Sequence, residues 1–80
     1  MDGHYPIAVE TLEAYKLLIT FDNNEKRIFN IKPYLEDKYY APLKTLSVFN
    51  SVKINSISLE WAGGIDMCPD ELYHNSIPAQ

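Results

Sequence analysis

The clearest pattern along the chain is alternation. Tyr15, Leu17, Ile19 and Phe21 are large and apolar at every second position, with Lys16 and Thr20 between them and Leu18 as the exception. Such a period puts one face of a strand in a core and the other in solvent. Asp22-Asn23-Asn24-Glu25 follows as a polar turn, because Asn and Asp tolerate left-handed backbone angles and bond neighbouring amides. Lys26 to Ile31 then returns as a second strand with Phe29 and Ile31 on one side, so a hairpin is predicted. Upstream, Ile7 to Leu12 alternates more loosely, and Glu13-Ala14 separates it from the hairpin.

Downstream, prolines punctuate the chain. Pro33 opens a short helical turn through Tyr34 and Leu35, since its fixed φ suits the first helical position, and Glu36 to Tyr40 reads as a loop. Pro42 repeats the device. Leu43, Leu46 and Phe49, three apart, then fall on one face of a short helix predicted to end near Asn50. Val52 to Ile54 predicts a short strand, and Ile57, Leu59 and Trp61 alternate with Ser56, Ser58 and Glu60 to give another. Gly63-Gly64 breaks that strand, and Ile65 to Met67 resumes as extended chain. Pro69 fits the start of a last helical turn, with Asp70 and Glu71 at its positive end and Leu72 and Tyr73 folding back on the sheet. Ser76 to Gln80 is predicted to fray. The sum is a small single α+β domain over 1–80, with a core at about 6–74 and flexible ends. It is an antiparallel meander of hairpins with one or two short helices packed on one face.

Composition narrows the class. Eighty residues hold one domain with a thin core, and 46% apolar with 12% aromatic residues is the make-up of a folding chain, not a disordered one. The single Cys68 excludes an internal disulfide, which leaves the core to hold the fold and fits a reducing compartment. No run approaches ~18 consecutive apolar residues, and Met1-Asp2-Gly3-His4 lacks the basic and apolar regions of a signal peptide, so a cytoplasmic location is expected.

The net charge of -4 is localised. Up to residue 59 seven acids balance seven bases, whereas the remainder carries Glu60, Asp66, Asp70 and Glu71 with no Lys or Arg. Phosphate neutralisation needs clustered cations, so this end disfavours nucleic acid and favours a basic protein surface.

Candidate chemistry is sparse. Asp66, Cys68, Asp70, Glu71 and His74 are the one group of metal-ligand residue types, but their spacing is irregular and supplies one Cys and one His where structural zinc takes four. No metal site or cofactor is expected. Cys68 before Pro69 reads as a small apolar filler, and His4 and His74 lie towards the flexible ends, so no nucleophile has a positioned base. Gly63-Gly64 lacks the lysine and framing of a phosphate loop. Asp66 has two readings, a cap on the turn begun by Pro69 or a contact presented to a partner's Arg or Lys. Trp61 also has two, core by its alternation or surface anchor by its chemistry. Tyr39-Tyr40 in the loop offers further aromatic contact area.

Ala41-Pro42-Leu43-Lys44-x-Leu46-x-x-Phe49, then Val52, then Trp61-x-x-Gly64-x-Asp66-x-x-Pro69-x-x-Leu72-Tyr73, resembles a family of short bacterial proteins known as domain of unknown function 2442. The chain has Ala62 and Gly63 where that family usually has Pro and Asn, and Asn24 where a hairpin glycine is common. The resemblance implies a small α+β domain without established enzymatic activity. Its members are sometimes joined to a helix-turn-helix and often encoded beside another small protein in what look like toxin-antitoxin pairs. The expectation is therefore a non-enzymatic protein-interaction domain, antitoxin-like, with a small basic protein as partner. Its contacts are expected at Asp70, Glu71, Glu60, Asp66, Tyr39, Tyr40 and Trp61. The alternatives are a regulatory domain that binds DNA or a small ligand, and a purely structural domain. An unpaired sheet edge leaves homodimerisation open.

Overall fold

Two antiparallel sheets are built by the computed structural model, which describes residues 3–79. The first sheet contains β1 (Pro6–Leu12), β2 (Lys16–Phe21), β3 (Lys26–Asn30) and, last in spatial order, β7 (Ile77–Pro78). The second is the meander β4 (Lys53–Asn55), β5 (Ser58–Trp61) and β6 (Ile65–Met67). Two helices of one turn or little more complete the fold, α1 (Leu46–Phe49) and α2 (Pro69–His74). No helix among the described residues is long and apolar enough to cross a membrane. Met1, Asp2 and Gln80, part of the ends expected to be flexible, lie outside the described residues.

The β2–β3 hairpin forms as its alternation predicts. Leu17 stands opposite Phe29, and Leu17, Ile19 and Phe21 are fully buried on the same face. The turn is closed by Asn23, whose Oδ1 accepts the Glu25 amide at 3.0 Å, and by Asn24 at φ 67°, an angle Asn adopts more cheaply than most residues. β1 pairs along β2 with a bulge between Pro6 and Ala8. In the second sheet Leu59 faces Met67 and Trp61 faces Ile65, all four buried. These residues join those of β2 and β3 in one core, with Leu43, Phe49 and Leu72 added from the helical segments. Burial of each such side chain stabilises the fold by ~1.5–3 kcal/mol. Gly63 and Gly64 turn β5 into β6 at φ 89° and 80°, with open space where a Cβ would stand, so backbone angle alone calls for glycine.

Three expectations change. The single helix carrying Leu43, Leu46 and Phe49 is instead a 3-10 turn at Ala41–Lys44 followed by α1, with Thr45 extended at ψ 121° between them. Leu46 is consequently rotated out and 59% exposed. The Lys44 carbonyl, which a continuous helix would bond to Val48, accepts the Tyr15 hydroxyl instead. Ile57 lies in the β4–β5 turn and is exposed, where alternation placed it on the strand. The tail at Ser76–Ala79 is ordered. Ile77 pairs with Ile28, the Ala79 amide donates to the Lys26 carbonyl at 2.9 Å, and Arg27 grips buried Ser76 through its Oγ (2.7 Å) and its carbonyl (2.6 Å).

Candidate functional site

The loop between β3 and α1 and the edge of the second sheet converge on one groove. Asp37 Oδ1 accepts the Tyr39 amide at 2.8 Å, a local turn that sets Tyr39 and Tyr40 side by side. Their hydroxyls reach β6, an edge strand with no further strand beside it among the described residues. The Asp66 amide donates to the Tyr39 hydroxyl at 3.1 Å, that hydroxyl donates to Asp66 Oδ1 at 3.0 Å, and the Tyr40 hydroxyl donates to the Asp66 carbonyl at 3.3 Å. Phenols thus satisfy backbone groups that an exposed edge would otherwise leave to water.

The other wall comes from α2. Pro69 starts the helix, buried Leu72 seats it in the core, and Glu71 in its first turn faces Tyr34 of the Lys32–Tyr34 helical turn. The Tyr34 hydroxyl donates to Glu71 Oε2 at 2.5 Å, and Asn75 Nδ2 donates to the same oxygen at 2.8 Å. Tyr40 stands edge-on to both neighbours, at 86° to Tyr34 with centroids 5.7 Å apart and at 84° to Tyr39 at 4.7 Å. The groove so formed has a volume of about 430 Å³.

Its electrostatics run one way. Burial, then the Glu71 carboxylate, pushes the Tyr34 phenol up to about 12. Burial, then Tyr39 and Asp66, raises Tyr40 as well. The Tyr34 and Tyr40 phenols therefore keep their protons at neutral pH and commit them to Glu71 and to the Asp66 carbonyl. Glu71 Oε1, Asp66 Oδ2 and Asp37 Oδ2 take no hydrogen bond from the described residues. No Lys or Arg lines the groove among those residues. It is an aromatic cleft that offers acceptors, and no group of three or more metal-ligating side chains occurs among the described residues.

A related arrangement occupies the far side of α2. Tyr73 donates its hydroxyl to Glu25 Oε1 at 2.6 Å, Arg27 Nη1 donates to Glu25 Oε2 at 2.6 Å, and the guanidinium lies 4.7 Å over the Tyr73 ring. The Tyr73 hydroxyl, then Arg27, holds the Glu25 carboxyl below the usual carboxylate range.

Of the residues singled out from sequence, Tyr39, Tyr40, Asp66 and Glu71 come together in the groove. Asp70 is exposed beside it without lining it, and Glu60 lies on β5, where it accepts a hydrogen bond from Asn55 Nδ2. Trp61 is 1% exposed, so it is a core residue and offers no surface contact, because its alternation with Leu59 turns it inward. Asp66 is no helix cap: Cys68 occupies the cap position of α2 without a side-chain bond, and the Asp66 carboxylate is taken by Tyr39. Cys68, expected as a buried filler, is exposed because that position precedes the helix. His4, placed in a mobile end, bonds Asp22 Oδ1 at 3.1 Å and lies against the Tyr73 ring at 4.7 Å. Tyr34 and Asp37 were not anticipated. The available signal was the density of tyrosines, three within seven residues around Glu36-Asp37.

A second groove, about 680 Å³, lies between the β1–β2 turn and α1 and is lined by Leu12, Tyr15, Leu46 and Phe49 with Glu13 at its side. A family model described as "Protein of unknown function (DUF2442)" matches residues 6–78. No curated protein and no solved structure matches the chain.

Proposed function

Because the chain belongs to the family Protein of unknown function (DUF2442), whose description assigns no activity, we propose from the groove that the domain is a non-enzymatic binding module that receives a basic side chain of a protein partner. The observation that supports this is the groove's composition: three tyrosine rings and three carboxylates, with no Lys or Arg among the described lining residues. Rings attract cations through their faces, and a carboxylate accepts the cation's N–H donors, so the same cleft repels phosphates and disfavours nucleic acid.

In this reading the partner is a small protein with a basic surface, and the role is antitoxin-like: the domain occupies that surface and thereby blocks it. The setting is the cytoplasm. The measurement is co-expression with the product of the neighbouring gene, followed by gel filtration at about 0.15 M salt, where surface charges beyond ~8 Å are screened. Co-elution that is lost on combining Asp66→Asn with Glu71→Gln is expected. If the two proteins elute apart, or if the double variant binds as well as the parent, the reading fails.

A further inference from the structure

The two Tyr–Glu couples flanking α2 are the same device in two states. In one, Tyr73 donates to a single oxygen of Glu25, and Arg27 occupies the other oxygen while stacking over the tyrosine ring. In the other, Tyr34 donates to a single oxygen of Glu71, and the remaining oxygen faces no arginine among the described residues. Distances match as well, 2.6 Å for the first phenol and 2.5 Å for the second. We infer that the Tyr34–Glu71 groove is an arginine site, completed by a guanidinium from the partner as Arg27 completes Tyr73–Glu25. This deepens the basic-partner reading and rests on it.

Three features favour arginine over lysine. First, the lining phenols have spent their protons, Tyr34 on Glu71, Tyr39 on the Asp66 carboxylate and Tyr40 on the Asp66 carbonyl. What remains is acceptors, and arginine brings five donors and no acceptor, against three for lysine. Second, Glu71, Asp66 and Asp37 are each pinned through one oxygen, by Tyr34, by Tyr39 and by the Tyr39 amide. Their free oxygens are fixed points, which suits a rigid planar fork better than a rotating ammonium. Third, Tyr40 is perpendicular to the rings on both sides of it, so the groove has flat walls at right angles. A guanidinium lies flat on such a wall and keeps its N–H edge towards the carboxylates, whereas an ammonium is a point charge with a larger hydration cost.

The site is also pre-shaped. Side-chain bonds already hold Tyr34, Tyr39 and Tyr40, so an arriving arginine orders little of the protein and orders mainly itself.

The test is a titration of the full chain with N-acetyl-arginine amide and, separately, N-acetyl-lysine amide, followed through the tyrosine ring signals by NMR. The arginine compound is expected to shift Tyr34, Tyr39 and Tyr40 saturably, with an affinity about tenfold above that of the lysine compound. Glu71→Gln is expected to abolish the shift, and Glu25→Gln, on the far couple, to leave it in place. Should Glu71→Gln fail to fold, the comparison of the two compounds on the parent protein still decides. Equal response to both compounds overturns the arginine assignment, and so does no saturable response to either. Neither result bears on co-elution with the partner, which decides the basic-partner reading separately.

Discussion

Trp61 is packed on all sides, yet its indole N–H finds no hydrogen-bond partner among the described residues. A buried orphan donor costs ~1–3 kcal/mol, so the residue stabilises through its volume and loses part of that gain at one atom. Trp61→Phe removes the orphan with a modest cavity and is expected to cost under about 2 kcal/mol, against ~3–5 kcal/mol for Trp61→Ala by urea unfolding. Near-equal costs for the two would show that the ring's volume is not what holds the second sheet. At this scale the sequence was uneven. Alternation carried the core reading of Trp61, one of the two open to it, because strand period is local information. Asp66 was open to two readings, a cap on its neighbouring helix or a contact for a partner, but its carboxylate bonds a tyrosine 27 positions away, and no local pattern encodes that. Tyr34 was read only as part of a proline-started turn, since its partner Glu71 lies 37 positions on.

At the level of elements, the strands announced themselves and the helical segment did not. Leu17, Ile19 and Phe21 carry a full period of burial, whereas the three-residue spacing of Leu43, Leu46 and Phe49 fits a continuous helix only if Thr45 stays helical. The Tyr15 hydroxyl removes that condition by taking the Lys44 carbonyl. β7 was hidden for another reason: two residues are too few for periodicity, and their anchor is Arg27 on a distant strand. Arg27→Met should free the tail, destabilising the domain by about 2–4 kcal/mol, because its hydrogen bonds to a carboxylate and to buried Ser76 are lost together. Hydrogen exchange should then show the Ala79 amide unprotected while amides of β2 stay protected. Retained protection at Ala79 would mean the strand pairing alone holds the tail.

For the molecule as a whole, the shifted groups bound a pH window. The Glu25 carboxyl sits below its ordinary range through Tyr73 and Arg27. For Asp22, desolvation opposes the shift, but the Tyr5 amide and His4 outweigh it and lower that carboxyl too. The unfolded chain therefore binds more protons than the folded one in acid, and stability is lost as pH falls below about 4.3. Tyr34, Tyr40 and Tyr73 are shifted up, so the folded state holds protons that the unfolded state releases above about 10. Stability should decline from about pH 10 towards about 12, the range Tyr34 covers, and Tyr34→Phe should blunt that decline in thermal melts across pH. Unchanged alkaline melts in Tyr34→Phe would remove Tyr34 from the balance.

The same scale holds the functional claim. Sequence located the negative charge in the last quarter of the chain, but the groove draws on both halves, with Asp37 and the tyrosines before it and Asp66 and Glu71 within it. Geometry therefore separates carboxylates that line the cleft from those that only contribute charge. The most direct measurement is partner affinity, by calorimetry at fixed salt, for two charge-matched double variants. Asp66→Asn with Glu71→Gln should weaken binding by at least about tenfold, because two acceptors of a desolvated cation are lost. Glu60→Gln with Asp70→Asn, outside the groove, should weaken it by less than about threefold, the range of screened rim charges. Equal losses in the two variants would contradict the account, since net charge rather than the groove would then be what the partner reads.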